Sequence, residues 1–272
     1  MSKPLLADKV VLISGGTRGL GAGIARAALR EGASVVVTGR RPGPESDPAT
    51  EPGPATEPGP ATEPGPATER AHYVWADVSD VESARASVRA TIERFGRIDC
   101  LVNAAGLTSR GTLLDTTPEL FDQHIAVNLR GPFFLMQAAV ADMVERGAGG
   151  TIVNIISTAE LGGQPYLAPY VAAKAGLAGL TRNAAHAHRF DRIRINGLDI
   201  GWTDTEGEDA TQRAFHGAGD GWQDQAAKNL PMGKLGQVDE IADFVVFLLS
   251  PRSGVVTGSV IDWDQKVFGG AD

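Results

Sequence analysis

Short runs of β-branched and aliphatic residues alternate along the chain with longer stretches of helical apolar spacing. Val10–Ser14 is a near-continuous apolar run, as expected for a strand covered on both faces. Leu20–Glu31 follows with Ile24, Ala25, Ala28 and Leu29 on one helical face, stopped by Gly32. Ser34–Thr38 and His72–Trp75 read as further strands, Val81–Phe95 as an amphipathic helix ended by Gly96, and Cys100–Asn103 as a strand. The pattern then predicts helices over Pro118–Leu129 and Phe133–Arg146, a strand at Thr151–Ile156, and a helix over Tyr170–His188. A strand at Arg194–Leu198, a helix over Val238–Leu249 begun by Asp239-Glu240, and a short strand at Val260–Asp262 complete the series. Strict β-α-β alternation predicts an α/β fold, a single doubly wound domain over residues 1–272 with a mainly parallel seven-stranded sheet and helices on both faces.

One segment breaks the pattern. Pro48–Glu69 reads PATEPG three times and then PATE, and residues 42–69 hold nine of the sixteen prolines with no aromatic or large aliphatic side chain. Such a stretch cannot bury enough apolar surface to offset its ordering entropy, so it is expected to be a disordered surface insert. A docking segment for another protein is the sharper alternative. The insert also explains the charge. Six of the acids behind the net charge of −8 lie within 42–69, which leaves the rest of the chain at only −2. No basic nucleic-acid face, polybasic patch or membrane-length apolar run is present. The single cysteine, Cys100, lies in a strand pattern and excludes an intrachain disulfide. With no signal-peptide pattern at the N-terminus, a soluble cytoplasmic protein is the expectation.

Two constellations carry chemistry. The first strand runs into Ser14-Gly15-Gly16-Thr17-Arg18-Gly19-Leu20-Gly21 and then a helix. Glycines at 15, 19 and 21 permit a tight turn, close approach to a pyrophosphate, and close helix–sheet packing. The helix N-terminus then offers unpaired N–H groups to phosphate. The second constellation is Ser157, Tyr170 and Lys174. Tyr170 and Lys174 stand at i and i+4 on one helix face, so an ammonium can lie near the phenol and lower its pKa for acid–base work. Ser157 ends the fifth strand, at the sheet edge where open α/β folds bind ligands.

Together these residues resemble the short-chain dehydrogenase/reductases of the roughly 250-residue type, over nearly the whole chain apart from 42–69. Gly15, Gly19, Gly21, Asp77-Val78, Asn103-Ala104-Ala105-Gly106, Asn128, Ser157 and Tyr170-x-x-x-Lys174 all match, as does the 13-residue step from Ser157 to Tyr170. The resemblance implies a Rossmann-like fold and interconversion of a secondary alcohol and a ketone. It makes Tyr170 the proton donor or acceptor and has Ser157 bind the substrate oxygen. Lys174 would hold the nicotinamide ribose and lower the tyrosine pKa, while Asn128 would support a water-linked proton relay. It further implies that Asp77 and Val78 flank the adenine, that Asn103 to Gly106 line the cofactor, and that Thr203 and Thr205 beside Gly201 contact the carboxamide. Residues 201–233, with Trp202 and Trp222, become a substrate lid, and a homo-oligomer, tetramer or dimer, is implied.

The chain departs from the family at Ser14 for threonine, at Ile200-Gly201 for Pro-Gly, and at Asp262-Trp263-Asp264 for Asp-Gly-Gly. The change at 200 leaves the following loop's path open, and the last one bears on the usual tetramer contact. Cofactor choice is read at the end of the second strand. An NAD site usually has an acid there, whereas this chain has Gly39 followed by Arg40 and Arg41, with Arg18 in the glycine loop. NADP(H) is therefore expected over NAD(H), its 2′-phosphate held by Arg18 and Arg40. The five histidines show no metal-ligand spacing, so no metal is expected. Glu160, Gln164, Trp202 and Glu206 favour a polyol or sugar among small-molecule alcohol and ketone substrates. The competing readings are a ketoacyl or small-ketone reductase, a related sugar-nucleotide epimerase or dehydratase, and a non-catalytic dinucleotide sensor.

Overall fold

The computed structural model describes residues 3–40 and 69–267, so the PATEPG repeat, Arg41 and the last five residues lie outside the described residues. Seven strands form one sheet: β1 (Val10–Ser14), β2 (Ser34–Gly39), β3 (Ala71–Trp75), β4 (Cys100–Asn103), β5 (Gly150–Ile155), β6 (Ile193–Ile200) and β7 (Val260–Trp263). Their order is β3-β2-β1-β4-β5-β6-β7, and every pairing is parallel. The chain reverses its direction of growth between β1 and β4, the switch point where the carboxyl ends of the strands open a crevice.

Among the described residues there are eight α-helices: α1 (Gly19–Arg30), α2 (Val81–Phe95), α3 (Pro118–Ile125), α4 (Gly131–Arg146), α5 (Ala168–Ala187), α6 (Glu206–His216), α7 (Trp222–Ala227) and α8 (Val238–Leu249). Alternation of side chains along β1 explains why the strand is apolar throughout. Val11 and Ile13 pack with Ile24 and Ala28 of α1 and Ile241 and Val245 of α8. Leu12 faces the other way, among Val88 of α2 and Leu135, Ala139 and Met143 of α4. Burying a side chain of this size stabilises the fold by about 1.5–3 kcal/mol. Cys100 is buried in β4, and burial pushes its thiol up to about 12, so it is an inert core group. Among the described residues no helix is long and apolar enough to cross a membrane.

Three elements differ from the sequence pattern. The helix expected over Pro118–Leu129 ends at Ile125 and passes into a π-helical turn, Ala126–Arg130, before α4. β6 runs on to Ile200, which pairs with Trp263, because isoleucine continues the ladder where a proline would have interrupted it. Residues 201–233 contain two helices, α6 and α7, that no apolar periodicity announced. α6 buries none of its own residues, so it carries no apolar stripe to read.

Candidate active site

The glycine loop turns between β1 and α1. A Cβ on Gly21 would stand 2.2 Å from the Gly15 carbonyl oxygen, and one on Gly15 would stand 2.7 Å from Cα of Ala105. Only glycine lets these backbones meet. Gly19 has φ +52°, the left-handed region, and Leu20 begins the first turn of α1, which contains no acid. Arg18 is the residue before that helix and is exposed. The loop therefore offers a cationic, backbone-lined cradle that suits a pyrophosphate.

The neighbouring strand ends complete one wall. Ala104 N donates to Ser14 O at 3.2 Å and Ala105 N to Ser14 Oγ at 3.4 Å, so the serine hydroxyl ties β1 to the loop after β4. Gly39 packs on Thr17: a Cβ there would lie 2.7 Å from Thr17 Oγ1. Arg40 is exposed beyond it, its carbonyl accepting from Trp75 Nε1 at 3.2 Å. Asp77 Oδ1 accepts from Ser79 N and Oγ at 2.9 and 2.7 Å, and the Val78 carbonyl lies where a Cβ on Gly131 would intrude, at 2.5 Å. Asn103 is turned inward rather than toward the crevice. Its Nδ2 donates to Asn154 Oδ1 at 2.7 Å, and Asn154 continues to Thr181 of α5 at 2.8 Å.

Ser157 caps a short turn, Thr158–Leu161, and its Oγ accepts from Ala159 N at 3.3 Å. Across from it α5 presents Tyr170, only 8% exposed, with its phenol in hydrogen-bonding reach of the Ser157 side chain. One turn on, Lys174 is 4% exposed; its Nζ donates to Ile155 O at 2.7 Å and lies 5.7 Å from the Tyr170 ring centre. Burial lowers the Lys174 ammonium to about 8, against the opposing pull of Asp199. The phenol itself goes the other way from the expectation. Burial pushes Tyr170 up to about 12, and Ser157 and Arg110 only partly offset burial, Glu208 and Asp199. Desolvation of the buried phenol outweighs the serine hydroxyl and the arginine charge that oppose it.

Asn128 sits in the π-helical turn, completely buried. Its Oδ1 accepts from Leu107 N at 2.9 Å, while Nδ2 donates to Leu107 O at 3.0 Å and faces His124 Nδ1 at 3.2 Å. The side chain is thus a clamp on the loop that follows Gly106. Sequence spacing missed His124, which is buried, bonded through Nε2 to Ser109, and edge-on to Tyr170 with ring centres 6.1 Å apart. Its one signal is its place on α3, one helical turn before Asn128.

The segment after β6 is equally specific. Thr203 Oγ1 donates to Gly201 O at 3.0 Å, and Thr205 Oγ1 caps α6 by accepting from Glu208 N at 3.1 Å. A Cβ on Gly19 would be 4.0 Å from Thr205, so this segment passes beside the glycine loop. Trp202 and Trp222 stack with ring centres 5.7 Å apart, their indole N–H groups donating to Glu208 and Asp209 of α6, each at 2.7 Å. Glu160 is half-buried beside this crevice, whereas Gln164 and Glu206 are exposed at its rim. Asp199, near the end of β6, is 1% exposed and neither carboxylate oxygen has a hydrogen-bond partner among the described residues.

A parallel sheet, a glycine cradle at its switch point and a buried Ser-Tyr-Lys group at the same edge define a dinucleotide-binding oxidoreductase. Comparison with known proteins agrees. A family model described as enoyl-(acyl carrier protein) reductase matches residues 15–265. The chain belongs to the short-chain dehydrogenase/reductase family, whose members use NAD(H) or NADP(H). It is 36% identical to trans-4-hydroxycyclohexanecarboxylate dehydrogenase of Sinomonas cyclohexanicum, covering 93% of this chain and 90% of that one. It is 33% identical to L-rhamnose 1-dehydrogenase (NAD(P)(+)) of Azotobacter vinelandii, covering 97% and 98%. A solved structure titled as a short-chain alcohol dehydrogenase from Sinorhizobium meliloti superposes with a TM-score of 0.80 at 30% identity, covering 97% of this chain and 98% of that one.

Proposed function

We propose that this oxidoreductase interconverts a secondary alcohol and a ketone, with NADP(H) preferred over NAD(H) and Tyr170 as general acid and base. The observation that carries the reading is the buried approach of the Tyr170 phenol to the Ser157 hydroxyl, with the Lys174 ammonium on the same helix face. When bound, the nicotinamide supplies or takes the hydride at the substrate carbon. In reduction the Tyr170 O–H gives its proton to the oxygen that becomes an alkoxide, and Ser157 donates a hydrogen bond to that same oxygen. Lys174 supplies the positive charge that steadies the phenolate left behind. Asn128 holds the loop at Leu107, and through it the wall on which the substrate rests.

Gly15, Thr17, Arg18, Gly19, Leu20 and Gly21 would hold the pyrophosphate, with Gly39 and Arg40 at the adenosine end beside Asp77 and Val78. Asn103 to Gly106 would line the cofactor, Lys174 would hold the nicotinamide ribose, and Gly201, Thr203 and Thr205 would contact the carboxamide. Polar groups of the crevice, Glu160 and the Trp202–Glu208 pair among them, support a polyol or sugar substrate. The relatives named for a hydroxycyclohexane carboxylate and for a deoxysugar support a polar secondary alcohol as well. A homo-oligomer is proposed on the family resemblance. The test follows reduced-nicotinamide absorbance over a panel of polyols, sugars, cyclic alcohols and small ketones. Wild type should turn over members of it, and Tyr170→Phe should be slower by about 10²–10⁴-fold while still binding NADPH. Turnover unchanged in Tyr170→Phe moves the acid–base role to another residue.

A further inference from the structure

Arg110 stands on the loop after β4, where its charge acts on the Tyr170 phenol. The next residue fastens it to the first turn of α5: Gly111 N donates to Tyr166 O, and Gly111 O accepts from Ala168 N, both at 3.0 Å. The guanidinium is therefore set beside the turn that carries Tyr170. Its Nη1 donates to Thr108 O at 3.1 Å, and its Nη2 faces His216 Nε2 at 3.1 Å. Rings of Tyr166 and Phe215 lie 5.1 and 5.6 Å from Cζ. Nε is buried and has no hydrogen-bond partner, and no ion pair among the described residues includes Arg110.

A cation held between aromatic rings, with an unused N–H and no counter-ion, is an incomplete arrangement. Arg110 is half-buried, but its Nε–H is enclosed, and an unpaired polar group in such a place costs free energy. Glu208, the acid that also acts on the Tyr170 phenol, does not fill the gap. Its Oε1 accepts from Trp202 Nε1 and Gln212 Nε2, each at 2.7 Å, so it is turned toward the lid. The missing partner is an anion, and the planar fork of an arginine matches a carboxylate.

We propose that Arg110 is a specificity-determining residue that receives a carboxylate on the substrate, so that the alcohol is a hydroxy acid, such as a sugar acid or a hydroxylated ring acid, and the ketone its keto acid. The proposal rests on the alcohol–ketone reading and narrows its polyol class. It gives the substrate two fixed ends, the carboxylate at Arg110 and the reacting oxygen at Tyr170 and Ser157. Because Arg110 also touches Phe215 and His216 at the end of α6, an anion seated there ties the lid to the loop after β4.

Acids are to be compared with neutral partners: trans-4-hydroxycyclohexanecarboxylate with its methyl ester, D-galactonate with galactitol, and D-gluconate with glucitol. At least one acid should exceed its partner in kcat/KM by about tenfold or more, as a charge-assisted hydrogen bond permits. Arg110→Met should lower that acid by about 10–100-fold more than the neutral partner, chiefly through KM. Arg110→Lys should restore part of the loss. Equal losses for acid and neutral partner, or no acid preferred in wild type, overturn the proposal and leave Arg110 as a lid latch. Failure of the alcohol–ketone reading looks different: wild type turns over nothing in the panel. Calorimetry of the same acids with the NADPH complex then decides Arg110, since binding that is absent, or equal in wild type and Arg110→Met, also overturns it.

Discussion

The Asp199 carboxylate lies one strand-rung beyond the Ile155–Leu198 pair, and Lys174 Nζ is bound to the carbonyl of that same Ile155. Two buried ionisable groups of opposite sign thus share the base of the crevice. Burial pushes Asp199 up to about 7, with Glu160 and Asp262 pushing the same way and the Ser157 amide and Arg182 opposing. Asp199 in turn holds Lys174 higher than burial alone would. An acid in this position is a charge that the fold tolerates rather than one it uses for stability.

The sign of the pH dependence follows. Asp199 in the unfolded chain ionises near the ordinary value of about 3.9, but in the folded protein it keeps its proton to about 7. Between those values the folded state binds the extra proton, so this group's contribution to stability declines as pH rises through the window and stays unfavourable above it. Asp199→Asn removes the charge. Its Tm should exceed that of wild type by more at pH 8 than at pH 5, and the alkaline limb of its kcat/KM profile should move to lower pH as Lys174 loses its counter-charge. A Tm difference that is flat across this range would show that the carboxylate has a partner in solution.

The proposed NADP(H) preference rests on Arg18 and Arg40, both exposed and outside every ion pair among the described residues. Replacing both with glutamine should cut kcat/KM for NADP(H) by about 10–100-fold, the scale of charge-assisted hydrogen bonds, and change NAD(H) little. An acid installed at Gly39 is a poorer probe alone, because its Cβ would press on Thr17 at 2.7 Å. Wild type that prefers NAD(H) would refute the arginine assignment.

Much of this was legible in the residues. β1, α2, β4 and α8 match their apolar runs to the residue, because each is buried on a regular period or closed by a glycine such as Gly96, which has φ +79°. The Ser157–Tyr170–Lys174 group was legible because i and i+4 on a helix fix a shared face. Arg110, His124 and Asp199 were not, since each acquires its meaning from an element distant in sequence. Arg110 meets His216 across 106 residues, and nothing in the local spacing of either announces the other. The π-helical turn was equally hidden. It holds Asn128, whose bonds to Leu107 are a tertiary contact that no helix propensity encodes.

That contact makes Asn128 a scaffold whose loss should differ in kind from loss of Tyr170. Asn128→Ala strands the buried N–H and C=O of Leu107, at about 1–3 kcal/mol for each group left unsatisfied. With about 2–4 °C per kcal/mol in a chain of this size, Tm should fall by roughly 4–24 °C. Activity should fall as well, because the loop that follows Gly106 is released from its clamp at Leu107. Differential scanning fluorimetry alongside turnover separates the two, since Tyr170→Phe should keep its Tm. An Asn128→Ala protein with wild-type Tm and lost activity would instead place Asn128 directly in proton transfer.

The segment proposed as a substrate lid, residues 201–233, should come loose on its own. Trp222 is buried in a small cluster with Ala226, Leu230 and Leu235, separate from the two main cores. It stacks on Trp202, and its Nε1 donates to Asp209 of α6. Truncating a buried tryptophan costs about 3–5 kcal/mol, more than a unit of two short helices with so few apolar contacts can withstand. Trp222→Ala should therefore open 206–230 locally while the sheet stays folded. Hydrogen exchange in α6 and α7 should rise, KM should increase several-fold, and the main thermal transition should move little. A large drop in that transition with KM unchanged would mean that the tryptophan pair braces the whole domain, and that the lid is not an independent unit.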